Sequence, residues 1–429
     1  MARRGWGTAS VARRAPPIAA IGFVTALSAS ILPGCESTFE GPYPCKSGFA
    51  SCTTPDACET SIDWDGANCG ACGRACATGA ACASGVCGPA PMVLASTGSG
   101  AGLNGGPVTV ASNGTAVIWS TNQGEIETVP VSGGSPTTLF SCNGGQGGCN
   151  ASGQALAIDS SAVYFSFQNN QAPGSPVEGI YSLPIAGGGT PSPIATFSTT
   201  SNVISWIGVE RGSVYFVESN GGGSSGQLLS VPLSGGSPSP IGVVGSGSNQ
   251  LALGPSGVYF ISCNNNGPCA LQGIPLAGGS PLSFPSPSNG GGGQAVATDA
   301  SSVYVLNANV CCSCSGSESN NNTSVVKYPA AGGPPELVLQ TTLTLESVQA
   351  AVVDSSSVYW VTYSAAWKAP LSGGEASPIA GNLTGGQVLP SSSPCNGGSG
   401  IGTSNAIALD ATNVYIADGF TSTIYRFPK

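Results

Sequence analysis

The chain has 429 residues, of which 7% are charged and 41% are apolar, and it carries a net charge of −9 without a single histidine. The acidic balance excludes the electrostatic attraction on which nucleic-acid binding depends. The lack of histidine excludes histidine triads, imidazole general bases and histidine-ligated metals. Regularly spaced apolar runs favour a folded core over the disorder that low charge and 65 glycines would otherwise suggest.

The first 34 residues have the order of an export signal. Four arginines precede an apolar stretch from Ile18 to Leu32, which is too short to span a membrane. The closing sequence Leu32-Pro33-Gly34-Cys35 resembles the lipobox of bacterial lipoproteins. The resemblance implies a lipid on Cys35 and a place in the cell envelope, at the outer membrane or cell surface of a Gram-negative bacterium. The alternative is a plainly cleaved signal followed by an ordinary cysteine.

Removal of residues 1–34 leaves seven Lys and Arg against twenty acids, a net charge of −13. Residues 35–44 then form a short polar tether, and residues 45–88 form a cysteine-rich module with too few aliphatic residues for a core of its own. An exported chain favours disulfides among its eight cysteines. Zinc or redox chemistry at Cys69-x-x-Cys72 is the alternative. The module is interpreted as a spacer or a small binding domain. The eight candidates are Cys45, Cys52, Cys58, Cys69, Cys72, Cys76, Cys82 and Cys87.

Beyond the module, one sequence pattern occurs seven times. It consists of a short apolar run, an acid or amide, Val-Tyr or a variant of it, a loop, an x-Pro step and usually Gly-Gly. The spacing of 44 to 56 residues is typical of one propeller blade per repeat. The positions of the tyrosine site are Ile118, Tyr164, Tyr215, Tyr259, Tyr304, Tyr359 and Tyr415.

Each repeat contains four strand-length pieces, which we call a to d in chain order. Gly-Gly between c and d predicts a tight hairpin, because glycine adopts positive φ at little cost. The seventh repeat ends at Lys429 before its fourth piece, and residues 91–95 resemble the missing strand. The sequence therefore predicts an all-β, seven-bladed propeller over residues 91–429, in which an N-terminal strand completes the last blade and thereby removes an open edge.

Val358-Tyr359-Trp360, preceded by Asp354, resembles the propellers of the YWTD, NHL and TolB-like families. The resemblance implies a propeller over residues 91–429. The YWTD and TolB-like propellers usually have six blades, whereas this chain has seven repeats, and no ligand-binding residue of those families maps onto it.

The four-stranded pattern places the a–b and c–d turns at one end of the propeller, the turn end, and the b–c and d–a loops at the other, the variable end. A polar residue recurs in the a–b turns and is interpreted as turn-forming through hydrogen bonds to nearby backbone. A calcium or catalytic ring is the alternative. The recurring residues are Asn113, Asp159, Glu210, Asp299, Asp354 and Asp410, with Gly254 as the exception.

The variable end receives the long loops and eight cysteines. Cys142 with Cys149, and Cys263 with Cys269, are close enough to staple their own loops, whereas Cys311, Cys312, Cys314 and Cys395 are candidates for a link between blades. Stapling either preorganises a binding surface or protects the loops from proteolysis.

An amide recurs near the start of strand a. These residues are expected to ring the mouth of the central channel, where they hydrogen-bond between blades or hold a polar ligand or water. Val108 and Ser205 replace the amide in two repeats, and Trp206 is either a ligand-stacking residue or a filler. The amides are Gln154, Asn249, Gln294, Gln349 and Asn405.

The expected function is that of a non-enzymatic envelope lipoprotein that binds a protein, peptide or glycan at the variable end. The protein is expected to be a monomer that binds no nucleic acid. It is expected to contact the membrane only through its lipid. No cofactor is expected, although calcium is possible. The alternatives are a carbohydrate-active or calcium-dependent enzyme and a structural or adhesive surface protein. An enzyme would need clustered acids. Its candidates are Glu125, Glu127, Glu178, Glu218 and Asp418.

Overall fold

The structure is a computed structural model that describes most of the chain beyond residue 44. The described part contains thirty-two β-strands and no helix, and so it offers no helical segment suited to crossing a membrane. The described residues are 45, 49–53, 58, 60–62, 65–78, 80–83, 85–89, 92–96, 107–121, 124–141, 155–167, 179–197, 202–220, 226–245, 250–263, 269–285, 293–308, 323–341, 348–362, 365–381, 406–418 and 422–429.

The strands are numbered in chain order. They are β1 (Phe49–Ala50), β2 (Thr60–Ser61), β3 (Ala80–Ala83), β4 (Val86–Pro89), β5 (Met92–Ser96), β6 (Pro107–Ser112), β7 (Ala116–Thr121), β8 (Ile126–Pro130), β9 (Thr137–Phe140), β10 (Leu156–Ile158), β11 (Ala162–Phe167), β12 (Gly179–Pro184), β13 (Ser192–Thr196), β14 (Asn202–Glu210), β15 (Ser213–Asn220), β16 (Gly226–Pro232), β17 (Ser239–Val244), β18 (Leu251–Leu253), β19 (Gly257–Cys263), β20 (Cys269–Pro275), β21 (Leu282–Ser283), β22 (Gly293–Thr298), β23 (Ser302–Ala308), β24 (Thr323–Pro329), β25 (Glu336–Thr341), β26 (Ala350–Val353), β27 (Ser357–Val361), β28 (Ala365–Pro370), β29 (Ser377–Gly381), β30 (Ala406–Leu409), β31 (Asn413–Asp418) and β32 (Thr423–Pro428).

Seven four-stranded antiparallel sheets form the blades, which confirms the predicted propeller. Blades 1 to 6 are β6–β9, β10–β13, β14–β17, β18–β21, β22–β25 and β26–β29, and blade 7 is β30–β31–β32–β5. Strand a of each blade lies beside strand a of the next, from β6 through β10, β14, β18, β22, β26 and β30 back to β6. The innermost strands therefore form a closed ring.

Alternation along strand b explains why the repeat is so apolar. Successive side chains of a strand point to opposite faces, and both faces of each blade are covered by neighbouring blades. In blade 6, Tyr359 packs with Ile407 and Val414 of blade 7, whereas Trp360 packs with Ala295 and Leu306 of blade 5. Strand b must therefore be nearly continuously apolar, and the repeat Val-Tyr-aromatic meets that requirement.

The x-Pro and Gly-Gly steps form one turn. Strand c ends at the proline, whose carbonyl accepts a hydrogen bond from the first glycine N–H; the N–O distance is 2.8 Å between Gly133 and Pro130. Both glycines have positive φ, 92° at Gly133 and 144° at Gly134. The same bond and the same φ signs occur in all six predicted turns, so the hairpin prediction is confirmed.

Strand β5 completes blade 7, as the sequence predicts. It pairs antiparallel with β32 along Met92 to Ser96, and Leu94 and Ala95 are buried there. The Arg426 guanidinium of β32 donates to the Val131 carbonyl of blade 1, so side chains as well as backbone join the last blade to the first. The two ends of the propeller domain are therefore held in one sheet.

All eight cysteines of the module form disulfides, which link Cys45 to Cys58, Cys52 to Cys72, Cys69 to Cys82 and Cys76 to Cys87. Cys69 and Cys72 thus belong to different bridges. The sulfurs of Cys69, Cys76 and Cys87 lie within 4.8 Å of one another, because two bridges are adjacent. Cys69 and Cys82 are fully buried, so this pair of bridges forms the centre of the small domain.

We predict that Leu94→Ala lowers the free energy of unfolding of the propeller by about 2–4 kcal/mol, because it leaves a cavity between blades 7 and 1. Val93→Ala is the matched control, since Val93 is 63% exposed on the same strand, and a change below about 0.5 kcal/mol is expected for it. Urea unfolding followed by tryptophan fluorescence measures both. Equal losses in the two variants would contradict the closing role of Leu94.

Candidate functional site

The acids of the turn end hold both a turn and a tyrosine. In blade 2, Asp159 Oδ1 accepts hydrogen bonds from the backbone N–H of Ser161 at 2.7 Å and of Ala162 at 2.8 Å, and Oδ2 accepts one from the Tyr164 hydroxyl at 2.7 Å. The same arrangement occurs at Asp299, Asp354 and Asp410. It explains why the acid lies five residues before the tyrosine, and it confirms the turn-forming interpretation for these residues.

Blades 1, 3 and 4 replace parts of this arrangement. Asn113 makes the backbone bonds alone, because Ile118 occupies the tyrosine site. The interpretation is wrong for Glu210, which is the last residue of β14. Here Arg211 at φ 51° and Gly212 at φ 75° form a two-residue turn, so the backbone makes the reversal. In blade 4, the Tyr259 hydroxyl donates instead to the Ala330 carbonyl of blade 5, at 2.9 Å.

The pairing of acid and tyrosine changes both pKa values. Burial and the Asp299 carboxylate raise the pKa of Tyr304 to about 12. Burial opposes ionisation of Asp299, yet its pKa lies below the usual value because the Ser301 and Ser302 amides and the Tyr304 hydroxyl stabilise the carboxylate. The acids are therefore ionised and the tyrosines neutral at neutral pH, which is the charge state that their hydrogen bonds need.

Lys429 joins blade 7 to this end of blade 6. Its ammonium lies 2.8 Å from Asp354 Oδ2 and 5.7 Å from the centre of the Tyr359 ring. Although burial opposes its ionisation, Asp354 has a pKa well below the usual value because of this ion pair and the Ser356 and Ser357 bonds. The carboxylate is thus saturated with partners from its own chain.

Strand a contains a β-bulge at the variable end, which the sequence did not predict. In the blades for which the structure describes it, the recurring amide position is a β-bulge. Val108, Ser205 and Gln294 are each skipped in the pairing of strands a and b of their blades. In blade 6, the N–H of Gln349 donates to the Val361 carbonyl while Ala350 also pairs with Val361, so two residues again face one. A bulge turns its side chain away from the regular alternation, and bulges are common beside functional sites.

Gln294 makes the bond between blades that the sequence predicts. Its Oε1 accepts a hydrogen bond from the Val348 N–H of blade 6 at 2.8 Å, and the side chain is half-buried. Gln154, Asn249 and Asn405 lie outside the described residues, so the amide ring as a binding site stays a prediction.

Trp206 follows the bulged Ser205 and is half-buried between blades 3 and 4. It packs against a core cluster that contains Val258 and Phe260 of blade 4, and a Cβ built on Gly208 would meet its ring at 2.7 Å. The indole thus occupies the space that a side chain at position 208 would need. Ser205 itself is exposed at the variable end.

Two of the eight cysteines at the variable end are described by their backbone. Cys263 ends β19 and Cys269 begins β20, and the register places them directly opposite each other. Cα atoms of opposed antiparallel residues are about 4.5–5.5 Å apart, which suits a disulfide. The remaining six, Cys142, Cys149, Cys311, Cys312, Cys314 and Cys395, lie outside the described residues.

The described acids among those proposed for an enzyme are spread over three blades. Glu127 accepts a bond from the Trp119 indole N–H at 2.9 Å, and burial raises its pKa. Glu125 accepts one from the Ser141 hydroxyl at 3.2 Å. Both belong to the c strand region of blade 1, away from the ring of a strands. Glu218 is half-buried on β15, Asp418 is buried at the end of β31, and Glu178 lies outside the described residues.

No protein-family model matches the chain, and no curated protein matches it. Solved structures do match. The designed protein Ika8 is 12% identical, with 79% of this chain and 99% of that chain covered and a TM-score of 0.46. YCF48 bound to D1 peptide is 8% identical, with 77% and 94% covered and a TM-score of 0.48. The Pan2 WD40 domain of Neurospora crassa is 9% identical, with 76% and 89% covered and a TM-score of 0.48. At these identities the likeness concerns the fold alone.

We predict that Lys429→Met destabilises the protein by about 1–2 kcal/mol at pH 7, because it leaves the partly buried Asp354 carboxylate without its cation. The pKa of Asp354 is lowered in the folded state, so its stabilisation is present above about pH 4 and is lost as the pH falls through the folded value. The difference between variant and wild type should therefore shrink below pH 4.

Urea midpoints at pH 7, 4 and 2.5 measure this effect. Lys327→Met is the control, because Lys327 lies 4.0 Å from Glu336 in an exposed pair whose side chains are 37% and 73% exposed. Such pairs contribute little to stability. A Lys429→Met penalty that stays constant with pH would contradict the ion-pair account.

Proposed function

We propose that the chain is a non-enzymatic lipoprotein of the bacterial cell envelope, anchored by a lipid on Cys35, whose propeller binds a protein, peptide or glycan through its variable end. The observation that carries the proposal is the contrast between the two ends of the blades. The turn end repeats and satisfies its own polar groups, whereas the variable end differs from blade to blade.

The turn end offers a partner little unsatisfied polarity. Its carboxylates accept bonds from their own turns, from tyrosines and from Lys429, and its Gly-Gly turns are closed by carbonyls of proline. A partner would have to displace these bonds, and losing a buried hydrogen bond costs free energy that binding must recover. Recognition at this end is therefore disfavoured.

The variable end combines a constant backbone with changing side chains. The bulge recurs in strand a, but it presents valine in blade 1, serine in blade 3 and glutamine in blade 5. The segments that join the strands there are of unequal length, from residues 362–364 to residues 382–405. Functional residues concentrate on loops held by a rigid scaffold, and a preorganised surface lowers the entropic cost of binding.

The composition supports an uncharged, polar mode of recognition. The mature chain carries seven cations against twenty acids, and polyanions are repelled by such a surface. The disulfides of the module suit an oxidising compartment, which agrees with export. The lipid on Cys35 rests on the lipobox-like sequence at residues 32–35.

Binding can be assigned to one end with a pair of Ser→Arg variants in residues 36–429. Ser205 is exposed at the bulge of the variable end, and Ser355 is exposed in an a–b turn of the opposite end. An array of bacterial glycans, peptidoglycan fragments and peptides is the probe. We expect Ser205→Arg to weaken binding tenfold or more and Ser355→Arg to leave it unchanged. Loss only in Ser355→Arg would contradict the assignment, and an array without binding would contradict a glycan or peptide ligand.

The anchor is tested separately in the full chain. Cells fed an alkyne fatty acid should label the wild-type protein, and Cys35→Ser should abolish the label and release the protein from the membrane fraction. Ser37→Ala serves as the control, because it changes a neighbouring residue without removing the thiol. A labelled or membrane-bound Cys35→Ser protein would contradict lipidation at this residue.

A further inference from the structure

One blade differs from the other six at its outer edge. The second residue to pair on strand d is exposed in blades 1 to 5 and 7, but Pro378, its counterpart in blade 6, is half-buried. The exposed counterparts are Thr138, Pro193, Pro240, Ser283, Leu337 and Val93. Because the blades share one pairing scheme, something outside the propeller must cover this position in blade 6.

The covering element is the β3–β4 hairpin of the cysteine-rich module. Both of its strands lie against β29, the outer strand of blade 6, without adding to the sheet. At Gly88 of β4, a Cβ would lie 3.5 Å from the Pro378 carbonyl oxygen and 3.8 Å from that of Ile379. A glycine thus brings the two backbones together where a larger side chain would separate them.

Covalent structure limits the freedom of this hairpin. Cys82 of β3 and Cys87 of β4 are bridged to Cys69 and Cys76, so the hairpin is tied to the rest of the module. Strand β4 ends at Pro89 and β5 begins at Met92. The two intervening residues span at most about 10 Å between their neighbours. The module is therefore held close to the outer strand of blade 7, with blade 6 as the adjoining surface.

We propose that the outer strand of blade 6 is a docking surface for the cysteine-rich module. The module is held there in a fixed position and is not a flexible spacer. Pro378 follows closely after the Gly373-Gly374 turn, so the contact lies toward the turn end of the blade. Docking also shields one exposed strand edge, which would otherwise be open to pairing with another chain.

The docking does not depend on the proposed function, because it concerns residues 80–89 and 377–381 alone.

The docking is tested with two glycines of the module in residues 36–429. Gly88→Leu places a branched side chain against β29, whereas Gly66→Leu, the control, places the same side chain where a Cβ meets nothing within 4 Å. Hydrogen–deuterium exchange is measured in peptides that contain residues 377–381. Several-fold faster exchange is expected in Gly88→Leu only, with the four disulfides intact by mass and with unchanged exchange in residues 192–196 of blade 2.

A reciprocal pair changes the propeller instead. Pro378→Arg should release the hairpin and speed exchange in residues 86–89, whereas Pro193→Arg, at the exposed counterpart in blade 2, should not. Wild-type exchange at both surfaces in Gly88→Leu and Pro378→Arg would overturn the proposal. Neither readout needs a lipid or a ligand, so a failure of the docking proposal is distinguishable from a failure of the proposed function.

Discussion

The pairing of β5 with β32 is the constraint on which the propeller depends. Each blade buries strand b on both faces, as Tyr359 and Trp360 do toward blades 7 and 5, and this is possible only if every blade has two neighbours. In an open array the first and last blades would each expose one such face. Because β5 and β32 come from opposite ends of the domain, their pairing ties closure to the whole chain between them. Opening the ring therefore costs the burial of Leu94 and Ala95 together with a ladder of backbone bonds.

Hydrogen bonds stabilise this protein more than pairs of charged side chains do. Only 7% of the residues are charged, and the acids of the turn end bind groups within the propeller, mostly in their own blades. An aspartate that binds two backbone N–H groups and a buried tyrosine fixes the a–b turn and the b strand at once. A charge-assisted bond is roughly twice as strong as a neutral one, so a few carboxylates suffice. The same saturation explains why the turn end suits a scaffold better than a recognition surface.

The sequence predicted the features that depend on local chemistry. The Gly-Gly turns, the proline before them and the acid five residues before the tyrosine each act within one hairpin, so their spacing reveals their role. The bulges at Val108, Ser205 and Gln294 were missed, because a bulge is a property of pairing and the three side chains share no chemistry. The turn after Glu210 was misread, since Arg211 and Gly212 change the backbone without changing the charge pattern. The docking of the module on β29 was beyond prediction, because it joins surfaces about 290 residues apart in sequence.

What the sequence repeats is the frame: the turns, the strand alternation and the closure. What it does not repeat is found at the variable end and on one outer edge, and there the same backbone position carries different side chains. A bulge that holds Ser205 exposed in one blade and Gln294 bonded to Val348 in another uses one geometry for two purposes. A scaffold that keeps its backbone constant while its side chains vary can specialise for a ligand without loss of the fold. This separation of a constant frame from a varied surface is the structural basis of the proposal that a ligand binds at the variable end.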